Sequence, residues 1–456
     1  MTMLDSGPRG AVIGASVRDR AAVASTRRLR LLELMGRAIV RRAIERVTIG
    51  SVSIEDSARG QTLVSPRRAP AAEDRAAGTA PAAALRVLDP ALFSAAAFGG
   101  SLGIAEAYID GAWESDDLAG LVETMTANLA AMDSLEGPLV KLIGPLSRAA
   151  YWLERNTRAG SRRNIVAHYD LGNDFFALFL DPTMSYSCGV FENGARTLEE
   201  SQIEKIDRAC RKLDLQPTDH LLEIGSGWGA FVVHAAARYG CRVTTTTISD
   251  EQHRLATARV RDAGLADRVT VLKQDYRDLT GRFDKLVSIE MVEAVGAAQL
   301  PTFFQVCSER LKPDGAALIQ AIVIRDQFFA RAARRRDFLK KYIFPGSCLP
   351  SVGVMTRAVA ARTDLRTWHT EDLGPHYAET LRLWRDAFMS RLDHVRELGF
   401  DERFIRMWEY YLAYCEGAFR ARHVGVVQTL LTKPLCRIAP ASARAAGPAA
   451  RGDGPT

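Results

Sequence analysis

The segment His220–Gly240, HLLEIGSGWGAFVVHAAARYG, sets a short apolar run against three glycines spaced two apart, then a helically periodic stretch. An apolar run bounded by glycines reads as a buried strand, so this text predicts a strand, a tight turn at Gly225-Ser226-Gly227-Trp228-Gly229 and a helix. The unit recurs. CRVTTTTIS is a second, β-branched strand followed by the helical DEQHRLATARVRDAG, and RVTVLKQDY, FDKLVSIEM and GAALIQAIVI supply a third, fourth and fifth strand. Strands alternating with helices predict an α/β fold built on a doubly wound parallel sheet, with its ligand crevice at the carboxyl ends of the strands.

The turn does not follow the G-x-G-x-x-G spacing of dinucleotide sites. It reads E-x-G-x-G-x-G, with Glu223 ahead of the glycines. A carboxylate there suits a cation or an amino group better than a pyrophosphate, which favours S-adenosylmethionine over a dinucleotide.

The 456 residues allow two or three domains. With 47% hydrophobic and 25% charged residues the composition excludes collagenous, disulfide-scaffold and wholly disordered classes. Seven scattered cysteines, never as C-x-x-C, argue against a disulfide framework or a zinc cluster, and no metal is expected. The net charge of +6 has a location: residues 1–80 hold 14 Arg, no Lys and 8 acidic residues, and the other 376 residues balance. Residues 1–46 read as a mobile leader and a basic amphipathic helix, TRRLRLLELMGRAIVRRAIERV. Its arginines suit either an anionic membrane surface or plain solvation beside its own domain. Residues 47–135 read as a small α+β domain with candidate lipid contact, 136–163 as a helical connector, 164–436 as the catalytic domain and 437–456 as a disordered tail. No uninterrupted apolar run approaches the roughly 20 residues that span a bilayer, and no signal pattern opens the chain, so a cytoplasmic, peripherally membrane-associated protein is expected.

Six ordered motifs carry a resemblance: AHYDLGNDFFALFLDPTMSYSCGVF (167–191), LLEIGSGWG (221–229), TISDEQ (247–252), SIEMVEAVG (288–296), KYIFPGSCLPS (341–351) and YYLAYCEGAFRAR (410–422). The chain resembles the cyclopropane-fatty-acyl-phospholipid synthase family and its mycolic acid cyclopropane synthase relatives, S-adenosylmethionine-dependent enzymes that alkylate an unactivated lipid double bond. The resemblance implies that Tyr186 and Ser187 cover the cofactor and that Gly225 and Gly227 turn around its methionine. It further implies that Thr247, Ser249 and Gln252 meet the ribose, and that Asp275 and Tyr276 border the adenine. Hydroxyls and an amide can bond ribose hydroxyls, and an aromatic face can stack on adenine.

An isolated alkene is a poor nucleophile, so it must be held in line with the methyl donor in a dry site, and its attack leaves a carbocation that needs a base. In the resembled family that base is a bound bicarbonate. Its holders project onto the Cys188 backbone, Glu293, the Ile322 backbone and Tyr377. The family's histidine is replaced by Gln320, which can donate to an anion but cannot carry charge, so bicarbonate binding is in doubt. Proton loss from the transferred methyl closes a cyclopropane, whereas a hydride shift before the proton is lost leaves a methylene branch, reducible elsewhere to methyl. Both products stay open.

Two aromatic pairs, Tyr377 with Trp384 and Tyr342 with Phe344, are candidates to line the acyl path. The basic segment Asp326–Lys341 is a candidate phosphate contact. The expected substrate is a membrane phospholipid. No nucleic acid partner is expected, and a homodimer is permitted. A small-molecule methyltransferase and a non-catalytic lipid-binding protein are the alternatives.

Overall fold

The computed structural model describes residues 32–56, 59–65, 82–129, 133 and 171–438. The first 31 residues, the Ala/Pro-rich stretch 66–81, the connector 136–163 and nearly all of the tail lie outside them. The chain divides into two units, Met1–Asp117 with Asn128–Ile143, and Leu118–Ala127 with Gly144–Thr456.

In the first unit, β1 (Ser51–Asp56), β2 (Gln61–Val64), β3 (Ala82–Val87) and β4 (Trp113–Glu114) form a sheet in the order β2-β1-β3-β4. The helix over 32–45 buries Val40, Ala43 and Ile44, and its Arg37 turns inward to Asp56 and over the Phe93 ring. At least this arginine serves the helix's own domain rather than a surface. The helix Ala91–Ile109 is long and apolar enough to cross a membrane by length and composition, a feature hidden from a search for uninterrupted apolar runs by Ser94, Ser101 and Glu106. More than half of it is buried, and it breaks at Gly100 (φ 57°, ψ −135°).

The second unit holds the alternating pattern as β5 (His220–Ile224), β6 (Arg242–Thr247), β7 (Val269–Lys273), β8 (Phe283–Ile289) and β9 (Leu311–Ile324). Two strands beyond the expected five complete the sheet. They are β10 (Arg366–Asp372) and β11 (Val424–Thr432), and the order is β10-β11-β9-β8-β5-β6-β7. Strands β5 to β9 pair in parallel, while β11 runs antiparallel to both β9 and β10. Layers of apolar side chains cover both faces. Leu318 and Leu430 lie in the layer with Ile206 and Leu213, and Ile319 and Val427 lie in the layer with Phe303 and Met355.

The strand order reverses at β5, between β6 and β8, so the crevice opens past the ends of β5 and β8. The helix Leu198–Leu213 starts at a capping box, Thr197 with Glu200, and is stopped by Asp214 in the left-handed region (φ 55°). The helix Leu118–Ala127 belongs to this unit and not to the small domain expected to run to residue 135. Its backbone lies so close to the helix Glu402–Arg420 that a Cβ at Gly417 would stand 2.6 Å from the Ala119 carbonyl oxygen.

Candidate active site

Three glycines after β5 take positive φ, Gly225 at 97°, Gly227 at 48° and Gly229 at 93°. The Gly225 and Ser226 amides both donate to the Thr246 carbonyl at 3.0 Å, pinning the turn to the end of β6. A Cβ at Gly225 would come within 3.1 Å of the Met291 side chain, so glycine keeps the cradle open. Glu223, one residue inside β5, is buried and accepts from Thr245 Oγ1 at 2.5 Å. Burial pushes its carboxyl up to about 8, against the pull of the Thr245 bond and the Lys205 charge.

At the end of β6, Thr247 Oγ1 donates to Gln252 Oε1 at 2.8 Å and accepts the Ser249 amide at 3.1 Å. Ser249 Oγ in turn caps the helix Asp250–Asp262 by accepting from the Gln252 amide. Past β7, Arg277 grips both oxygens of Asp275 at 2.8 and 2.6 Å, so any adenine amino group would share that carboxylate. Tyr276 stands edge-on to Phe303, with a buried hydroxyl that has no partner. Glycine cradle, hydroxyl cluster and unpartnered tyrosine lie at the ends of three consecutive strands, an arrangement that fits a cofactor with a sulfonium amino acid at one end and a nucleoside at the other.

The residues expected at the reaction centre gather around a carboxylate that was not among them, Glu290. Glu290 Oε1 accepts from the Cys188 amide at 2.9 Å and from Gln320 Nε2 at 2.7 Å, and Oε2 accepts from the Tyr377 hydroxyl at 2.6 Å. Three of the groups that the resemblance assigns to a bicarbonate therefore hold a carboxylate of the chain itself. Glu293 lies beside them, with Oε1 on the Ile322 amide at 2.5 Å and Oε2 buried without a partner. Burial, reinforced by the Glu290 charge, raises the Glu293 carboxyl to about 8. Burial likewise raises Glu290, and the bonds from Tyr377, Cys188 and Gln320 and the Lys205 charge work against it.

Glu290 is visible in the sequence only as the third residue of SIEMVEAVG. Its φ of 50°, a rare conformation for a residue with a Cβ, swings its carboxylate into the cradle. Backbone geometry of this kind leaves no sequence signal.

Helix Leu198–Leu213 positions the segment before Cys188. Gln202 Nε2 donates to the Ser187 carbonyl at 2.8 Å and the buried Lys205 Nζ to Ser187 Oγ at 2.7 Å. Ser187 is thus tied to the protein by side chain and backbone alike. The Cys188 thiol is buried and raised well above its ordinary value, which leaves its amide as the useful group.

Around the centre, Tyr186 bonds Tyr411 hydroxyl to hydroxyl at 2.7 Å and lies 5.2 Å from Trp384, whose buried indole N–H has no partner. Tyr377 packs 4.5 Å from Phe419 and 6.0 Å, edge-on, from Trp384. Of the other two candidate aromatics, Tyr342 packs on Phe338 and Phe344 on Tyr411. In the basic segment, Lys340 is buried and donates to the Ala332 and Arg335 carbonyls, so it holds the backbone of its own segment.

Residues 156–429 match a family model described as mycolic acid cyclopropane synthetase. A tuberculostearic acid methyltransferase of Mycobacterium tuberculosis is 40% identical over 341 residues, 73% of this chain and 79% of that protein. A cyclopropane-fatty-acyl-phospholipid synthase of Escherichia coli is 37% identical over 363 residues, 78% of this chain and 89% of that protein. Among solved structures, a mycolic acid cyclopropane synthase complexed with SAH and CTAB is similar at a TM-score of 0.56 and 33% identity, over 60% of this chain and 98% of that one.

Proposed function

Because this chain belongs to the mycolic acid cyclopropane synthetase family and is an S-adenosylmethionine-dependent methyltransferase, we propose that it adds a one-carbon unit to the cis double bond of an unsaturated fatty-acyl chain in membrane phospholipid, with Glu290 as the base. The carrying observation is the Glu290 carboxylate seated on the Cys188 amide, Gln320 Nε2 and the Tyr377 hydroxyl.

Bound S-adenosylmethionine supplies a methyl group on a sulfonium, electrophilic enough for an alkene to attack. Gly225 and Gly227 would let the backbone approach its methionine part, with Glu223 buried behind the turn on Thr245, and Thr247, Ser249 and Gln252 would meet the ribose. Tyr276 flanks the adenine, with Asp275 beside it, and Tyr186 with Ser187 covers the cofactor. Tyr186, Trp384, Tyr377 and Phe419 offer π faces to the positive charge that develops on the acyl chain and exclude water from it. The alkene electron pair would form the new carbon–carbon bond as the methyl–sulfur bond breaks, with that bond's electron pair leaving on the sulfur of S-adenosylhomocysteine. The proton that neutralises the resulting cation passes to the Glu290 carboxylate, with Glu293 and the Ile322 amide closing the cradle on its other side.

Whether a hydride shift precedes the proton loss decides the product. A carboxylate anchored to the chain, and a close relative named a methyltransferase rather than a cyclopropane synthase, favour the methylene or methyl branch. Retention of the donors at Cys188 and Tyr377 favours ring closure as the second reading. Incubation of the purified protein with unsaturated phospholipid vesicles and methyl-labelled S-adenosylmethionine, followed by mass spectrometry of the acyl chains, tests both. Label enters either product, and ring and branch differ in their fragmentation. Cofactor binding with no label in any acyl chain would overturn the proposal.

A further inference from the structure

Behind the reaction centre, a line of polar side chains crosses one face of the sheet. Register puts them in line: Glu371 of β10 is opposite Gln428 of β11, which is opposite Gln320 of β9, and the Glu290 amide donates to the Gln320 carbonyl at 2.8 Å. Directly opposed residues share a face of a sheet. This face also carries Leu318 and Leu430, packed under the helix Leu198–Leu213. From the last turn of that helix Lys212 enters the layer, wholly buried, as are Gln320 and Gln428.

The contacts run in one direction. Lys212 Nζ donates to Gln428 Oε1 at 2.7 Å, Gln428 Nε2 donates to Gln320 Oε1 at 2.9 Å, and Gln320 Nε2 donates to Glu290 Oε1 at 2.7 Å. The far end is anchored by Glu371, which accepts from Lys212 and Arg208, while Arg208 also holds Glu192 at 2.8 Å. An amide side chain can present either its oxygen or its nitrogen, but an ammonium can only donate. The ammonium therefore decides the matter for the whole series. It fixes the oxygen of Gln428 toward itself, hence the nitrogen of Gln428 toward Gln320, hence the nitrogen of Gln320 toward the carboxylate.

We propose that Lys212 and Gln428 are positioning residues for the reaction: they orient the amide of Gln320 so that it presents N–H, and not a repelling carbonyl oxygen, to the Glu290 base. The inference rests on the reading of Glu290 as that base. Burying an ammonium and two amides in an apolar layer is costly, and hydrophobic replacements of such groups are often neutral or stabilising, so a packing role alone does not account for them. Glutamine can stand where the resembled family has histidine because this series supplies the orientation that a free amide lacks.

The groups facing Glu290 are Tyr377, the Cys188 amide and thiol, Gln320, Lys205 and Glu293, and those facing Lys212 are Glu371, Arg208 and Glu192. The informative variant is Gln428→Glu, which keeps the shape and the Lys212 contact but accepts only. Gln320 then turns its nitrogen toward position 428 and its oxygen toward Glu290. The carboxyl of Glu290 rises, and the acid limb of the kcat profile moves to higher pH by about one unit, with roughly tenfold lower kcat below it, as expected for one lost bond to a charged acceptor.

The measurement is kcat against pH with phospholipid vesicles, together with cofactor affinity by calorimetry. Lys212→Met should shift the limb the same way by a smaller amount, Lys212→Arg should restore it, and cofactor affinity should change less than about twofold, a margin well inside one kcal/mol-scale contact. Wild-type kcat and pH profile in Lys212→Met and Gln428→Glu, both folded by melting temperature, would overturn the inference. If Gln428→Glu does not fold, the contrast between Lys212→Met and Lys212→Arg decides. Glu290→Gln in the same assay tests the underlying reading separately: an unchanged profile there removes Glu290 as the base, and the inference with it.

Discussion

Replacing Glu290 by glycine removes the carboxylate at the smallest cost to the backbone. The residue holds φ at 50°, a conformation that costs a side-chain-bearing residue about 1–3 kcal/mol and glycine almost nothing. The substitution empties a cradle of three donors, the Cys188 amide, Gln320 Nε2 and the Tyr377 hydroxyl, which had stood 2.9, 2.7 and 2.6 Å from one carboxylate. Each hydrogen bond to a charged acceptor is worth about 1.5–3 kcal/mol, so the relief of the backbone covers about one of the three, and the two left uncovered, about 3–6 kcal/mol, should lower the melting temperature clearly. The rate should fall far more, by about a hundredfold to ten-thousandfold, the usual contribution of a general base.

A planar anion can occupy the vacated cradle on the same donors. Added bicarbonate is therefore expected to restore activity to Glu290→Gly in a saturable manner while leaving the wild type unaffected. The assay is methyl incorporation into phospholipid acyl chains in carbonate-depleted buffer, followed by a bicarbonate titration. Two results would refute the reasoning: a loss smaller than about tenfold in depleted buffer, or a deep loss with intact cofactor binding that bicarbonate does not relieve.

Other perturbations give separate outcomes. Gln320→His can still donate to Glu290 from one ring nitrogen and accept from Gln428 on the other, and can also carry a proton, so the product mixture should move toward cyclopropane; an unchanged ratio by mass spectrometry counts against this. Gly225→Ala forces a Cβ to within 3.1 Å of Met291 at a φ of 97°, and cofactor affinity should drop by about tenfold or more in a calorimetric titration. Glu223 titrates at about 8 in the fold against an ordinary 4.5, so between those values the unfolded chain binds fewer protons and this group's contribution to stability is lost as pH rises. Glu223→Gln should accordingly gain melting temperature relative to wild type between pH 5 and pH 8.5, with the two closest at the acid end, as read by differential scanning calorimetry.

The alternation of β-branched runs with helical periods predicts β5 to β9 and their parallel arrangement, because strand and helix periods are local properties that neighbouring residues impose on one another. The glycine turn and the acidic residue before it are legible for the same reason. So are Cys188, Gln320 and Tyr377 as members of one site, through the resemblance that their motifs carry. Strands β10 and β11 are not drawn from the sequence, although VGVVQTLLT is as β-branched as the others, because they lie outside the strand–helix alternation and close the sheet antiparallel.

What only the tertiary structure decided is which carboxylate sits on the three donors and which side chains bond its neighbour. Glu290 and Glu293 lie three residues apart in one motif, and a single left-handed backbone conformation sends the first into the donor cradle and leaves the second on Ile322. Lys212 and Gln428 are 216 positions apart, and Gln428 and Gln320 are 108 apart. Their alignment follows from strand register across β10, β11 and β9, a relation between distant segments that no local pattern of residues encodes.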